Sequence, residues 1–140
     1  MTLELWSVFV TGGMLWLSIV IQQLHLDKIG GTAYALSNRA DPPPDSPAQG
    51  RLLRAVRNQS DVAAVWIALV LVQQITGSSG ALTYWASLAM IVSRIFYLPL
   101  YAFGITPFRS LSWALFLFAA PVFAVGVVLG LGTIGVVAGQ

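Results

Sequence analysis

The sequence predicts an all-α integral membrane protein built as a bundle of four transmembrane helices. Of its 140 residues, 57% are hydrophobic and only 9% charged, against roughly a quarter charged in an ordinary soluble domain. The apolar residues fall in four runs, each near the ~20 residues that cross a bilayer as a helix. Five of the seven prolines fall in the breaks between them. A soluble fold of this length could not hide so much apolar surface.

The first run, 3–26, opens on Glu4 and Trp6 and closes on Gln22, Gln23 and His25. It lacks a basic leader and stays hydrophobic too long for a cleavable signal, so it is expected to be a retained span. Residues 27–50 are polar, with Gly30-Gly31, Ser37-Asn38-Arg39 and a triple proline between Asp41 and Asp45. That composition predicts a connection with a polyproline II segment, long enough to act as a cap or to be a solvated loop. The second helix is expected over 51–76, since no Gly or Pro interrupts it before the Gly77-Ser-Ser-Gly80 turn. The third is expected over 81–103, with Tyr84 and Trp85 at its start and Pro99 near its end. Gly104 to Pro107 forms a tight connection to the fourth helix, 108–137. Its glycine-rich end carries no charge and no evident chemistry.

Charge fixes the expected orientation. Lys28, Arg39, Arg51, Arg54 and Arg57 flank the first connection and Arg109 follows the third helix, whereas the GSSG turn and the C-terminus are uncharged. Positive-inside then puts the long loop in the cytoplasm and both termini outside. Several chemistries are excluded. With no cysteine and a single histidine, His25, a thiolate or histidine-rich metal site is not expected, and neither is a cysteine nucleophile. Nor is a nucleic-acid partner expected. Only Asp61 among the acids lies well inside a predicted span, Glu4 standing at the start of the first, which argues against a two-carboxylate mechanism.

The informative stretch is 51–61. Arg54, Arg57, Asn58 and Asp61 stand at i, i+3, i+4 and i+7, one face of a helix. Arg94, Tyr97 and Tyr101 share a face of the third helix in the same way. Counting inward from the GSSG turn, Asp61 lies at about 22 Å and Arg94 at about 20 Å, so each is expected to neutralise the other. Tyr97 and Tyr101 fall beside Asn58 and the arginines. Ionisable groups at this depth are expensive and mark a site by default. The spacing therefore predicts a polar pocket between helices two and three, with Arg109 capping its mouth. Arginines outnumber acids there, so the pocket should attract an anion, which guanidinium forks bind in two-point fashion. The plainer alternative is a structural Asp61–Arg94 pair with the outer arginines reaching for headgroups.

These residues carry a resemblance. The run Arg54-Ala-Val-Arg57-Asn58-x-x-Asp61 resembles the signature of the membrane-associated proteins in eicosanoid and glutathione metabolism, the MAPEG family. Arg94-x-x-Tyr97-x-x-x-Tyr101, Gly104 and Arg109-Ser110 are similar to that family's third helix and the loop after it. The resemblance covers essentially the whole chain. It implies a homotrimer, with glutathione as cosubstrate held by Arg54, Arg57, Asn58, Asp61, Arg94, Tyr97 and Tyr101. It further implies that Arg109 stabilises the glutathione thiolate and that an apolar small molecule or lipid arrives from the bilayer. Asp61 stands where the family usually has glutamate, and Tyr97 where some eicosanoid-forming members have histidine. The 27–50 stretch resembles that of bacterial members, implying an inner-membrane protein. The expected activity is a glutathione transferase or peroxidase acting on hydrophobic electrophiles. A non-catalytic lipid-binding scaffold of the same family is the alternative; a transporter is disfavoured by the lack of an inverted repeat.

Overall fold

The computed structural model describes residues 1–41, 43–44 and 46–138, with side chains to Gly132. Four helices follow one another: α1 (Leu3–Ala35), α2 (Pro47–Thr76), α3 (Ala81–Ala102) and α4 (Thr106–Ala138). All four contain stretches long and apolar enough to span a membrane. Helix α1 packs on α2 and α3, and α4 packs on α3 and α2, while the backbones of α1 and α4 do not adjoin among the described residues.

The helices outrun the expected spans. Helix α1 has 33 residues, about 50 Å at 1.5 Å per residue against a ~30 Å hydrocarbon core. Gln22 to Lys28 mark where apolar composition stops, but nothing there breaks a helix. The break comes at Gly31, whose φ of 76° is outside the helical region and which only glycine adopts freely. Helix α2 starts before the expected residue 51, with Ser46 flanking it and Pro47 in its first turn, where a missing N–H costs nothing. The connection expected over 27–50 is therefore helical at both ends and shrinks to 36–46. Arg39 ties it back to α1: its guanidinium donates to Gln23 Oε1 at 3.0 Å and lies 3.6 Å from Asp27 Oδ1. Pro42 and Asp45 lie outside the described residues, and the polyproline reading of that run with them. Gly139, at the end of the glycine-rich stretch, lies outside them too.

Two cores stack along the bundle. Near the GSSG turn, Val62, Trp66, Val70, Ala86, Met90, Ala119, Phe123 and Val127 form an apolar cluster. There the Trp66 and Phe123 rings meet edge-on at 4.9 Å, and the Trp66 indole N–H donates to Ser7 Oγ at 2.8 Å. Helix α4 reaches α3 this closely because Gly126 has no side chain. A Cβ there would lie 2.9 Å from Leu82 Cβ and 3.2 Å from the Thr83 nitrogen. Small residues serve this purpose where lipid supplies no hydrophobic drive between helices. The second core, at the arginine end, gathers Ala55, Tyr97, Leu98 and Tyr101.

Candidate functional site

The end of α3 sets the geometry of the site. The Ile105 N–H donates to Leu100 O and the Gly104 N–H to Tyr101 O, with Gly104 at φ 73°. This is a Schellman closure, in which glycine takes the left-handed position. It turns the chain back within a few residues, so that α4 starts at Thr106 rather than the expected 108. Arg109, one turn into α4, consequently lies over the face of Tyr101, its Cζ 4.8 Å from the ring centroid.

Arg94 is fully buried on α3. One terminal nitrogen, Nη1, donates to Gln59 Oε1 at 3.1 Å and approaches Asn58 Oδ1 at 3.5 Å. Its Nε and Nη2 both donate to Ser93 Oγ, at 3.2 and 2.6 Å. Ser93 and Ser112 exchange hydroxyl-to-carbonyl bonds of 2.7 Å each, fixing that anchor between α3 and α4. The guanidinium also lies over the Tyr97 and Phe116 rings, at 4.9 and 5.8 Å. Every one of these partners is neutral. Among the described residues, the one side-chain ion pair is Arg39–Asp27, far along the chain.

The expected Asp61–Arg94 pair is thus not formed. Asp61 and Arg57 are exposed on the outer side of α2 in the single chain. Arg94 lies level with Asn58 and Gln59 on α2, but Asp61 faces another way. The buried stripe of α2 runs through Ala55, Gln59, Val62, Trp66 and Val70, and at about 100° per residue Asp61 points well away from it. Asn58 sits at the edge of that stripe and reaches the site. Arg54, although exposed, reaches over it, its Nε donating to the Tyr101 hydroxyl at 3.3 Å.

Beside Arg94 lies an open cavity of about 250 Å³, lined by Asn58, Tyr97, Tyr101, Arg109, Ser110 and Trp113. Six of the eight residues picked out in the sequence (Arg54, Asn58, Arg94, Tyr97, Tyr101 and Arg109) therefore converge, and Arg57 and Asp61 do not. Gln59, Ser93, Ser110 and Trp113 were not picked out. Gln59 carried one signal, as the polar residue inside the apolar stripe of α2. A second cavity of about 230 Å³ lies on the other side of α4, lined by Val92, Phe96, Leu100, Phe108, Leu111, Ser112 and Leu115. No group of His, Cys, Asp and Glu able to hold a metal occurs among the described residues.

A four-helix membrane bundle with a cationic cavity near one end is the class that fold and site define. The MAPEG family profile matches residues 3–129, and the chain belongs to that family. No curated protein and no solved structure matches the chain.

Proposed function

We propose that this protein is a membrane-bound glutathione transferase or peroxidase that acts on hydrophobic electrophiles. The observation that carries the reading is Arg94, a fully buried guanidinium with no carboxylate partner, behind the Asn58 and Tyr97 wall of a cavity that Arg109 lines. A buried charge without a counter-charge is costly, and an anionic ligand in the cavity removes that cost. Glutathione fits the donor set: guanidiniums suit its carboxylates, and Asn58 with the tyrosine hydroxyls suits its peptide groups.

In this reading Arg109 stabilises the thiolate. A thiol with pKa near 8.5 attacks as its thiolate, and an adjacent guanidinium favours that form, the proton leaving to water at the cavity mouth. The thiolate then forms a C–S bond at an electrophilic carbon while the leaving group departs with its electron pair. With a hydroperoxide, the thiolate takes the distal oxygen as its hydroxyl, the O–O bond breaks, and the alkoxide released takes a proton from water to leave as the alcohol. A second glutathione reduces the resulting sulfenic acid to the disulfide and water.

The assembly is part of the proposal. Asp61 and Arg57 face outward from α2, and a carboxylate at membrane depth does not face lipid. A homotrimer in which a neighbouring copy covers this side would bring both residues to a glutathione held between subunits. The arginine-rich end would face the cytoplasm of a bacterial inner membrane. One observation favours the non-catalytic reading instead: the apolar cavity between α3 and α4 suits a lipid chain and is separated from the cationic cavity by α4.

The deciding assay is glutathione conjugation to an apolar aryl halide by the detergent-purified protein. Arg109→Ala is expected to lower kcat at least about tenfold while the oligomer stays intact. An intact protein that binds glutathione yet shows neither thiolate absorbance nor conjugation would exclude the enzyme and favour the scaffold.

A further inference from the structure

We propose that Gln59 is a positioning residue for Arg94, holding the guanidinium by a neutral contact so that its charge stays available to the anion in the cavity. The inference rests on the glutathione reading above and assigns a part to a residue outside the cavity. Gln59 is fully buried in the otherwise apolar stripe of Ala55, Val62, Trp66 and Val70. Neither Gln59 nor Arg94 lines the cavity itself, and Gln59 meets the site through its bond to Arg94, which lies against the lining residues Asn58 and Tyr97. Its Oε1 accepts from Arg94 Nη1 at 3.1 Å, while its Nε2 has no partner among the described residues. A buried donor left unmet is a penalty that an apolar residue here would avoid. The carbonyl oxygen is what the site gains in return.

The choice of amide over carboxylate follows from the same contact. Glutamate has the same shape and would meet the same nitrogen, and it would pair with Arg94. The cavity would then lose the cation that draws an anion into it. Ser93, the other anchor, is neutral as well. Gln59 and Ser93 grip Arg94 from α2 and α3 without quenching it. Asn58, next in sequence, approaches the same Nη1 and lines the cavity. The held guanidinium thus stands directly behind Asn58 and Tyr97, which form the cavity wall.

The test is glutathione titration and thermal melting of the full-length, detergent-purified protein as wild type, Gln59→Glu and Gln59→Met. The expected result is a Kd raised about tenfold or more in Gln59→Glu, with a Tm at or above that of wild type. Gln59→Met, which loses the acceptor, should both melt lower and bind more weakly. A merely structural glutamine would not separate affinity from stability in this way. Wild-type binding that persists unchanged in Gln59→Glu overturns the inference and leaves the proposed function standing. If Gln59→Glu does not fold, Gln59→Met decides: unchanged affinity overturns the inference and weakened affinity supports it. If wild type binds no glutathione, the proposed function fails and the melts judge the contact by themselves. A Tm order of Glu at or above wild type, with Met below, supports it, and three equal values overturn it.

Discussion

Near the GSSG turn, Trp66, Met90 and Phe123 meet across α2, α3 and α4 in an apolar core. Seven residues away on the same faces stand Gln59, Tyr97 and Phe116, grouped around the buried Arg94. Two helical turns, about 10 Å, separate a region packed for contact from one that contains an uncompensated charge. The same helix faces build both. The first region holds the helices at fixed spacing, and the second uses that spacing to keep a guanidinium beside a cavity. If so, substitutions in the two regions should separate stability from ligand binding.

Phe123→Ala should show the largest effect on stability. Emptying a fully buried aromatic site costs about 3–5 kcal/mol, and Phe123 is also the edge-on partner of Trp66. Its Tm in detergent should fall steeply, with glutathione affinity of the folded fraction unchanged. Affinity falling in parallel would mean that the two regions are not separable. Gly126→Val comes next, because its side chain would press on Leu82 and the Thr83 backbone. Such overpacking costs about 1–3 kcal/mol, again read as a lower Tm; no change would show that α4 is free to shift. Tyr101→Phe sharpens the contrast from the other side. It removes the hydroxyl that accepts from Arg54, worth about 1 kcal/mol, and should weaken binding severalfold with little effect on the melt. Arg94→Leu should have the smallest net effect on stability, because removing a buried charge without a counter-charge offsets the cost of leaving Gln59 Oε1 without its donor, each about 1–3 kcal/mol.

The difference between the regions also explains what could be read in advance. Four helices were legible because apolar runs of spanning length are a strong signal. Their ends were not, because a span ends where the membrane does and a helix ends where a residue breaks it. Gly31, not the polar cluster from Gln22 to Lys28, does that in α1. Within the site, the α3 stripe of Arg94, Tyr97 and Tyr101 was legible because all three residues face inward. The α2 stripe misled because its polar residues straddle the boundary of the buried face. Only packing shows that Asn58 turns toward α3 while Asp61 turns away. Gln59 was hidden by the same ambiguity: one amide in an apolar stripe does not announce which charge it meets.

The measurement that bears most directly on the uncompensated charge is calorimetric titration of glutathione into wild type and Arg94→Leu, each with its melting curve. Wild type should bind, and Arg94→Leu should lose at least about tenfold in affinity while melting close to wild type. Equal binding by the two proteins, or a collapse in the Tm of Arg94→Leu, would contradict this and make Arg94 a structural element of the bundle.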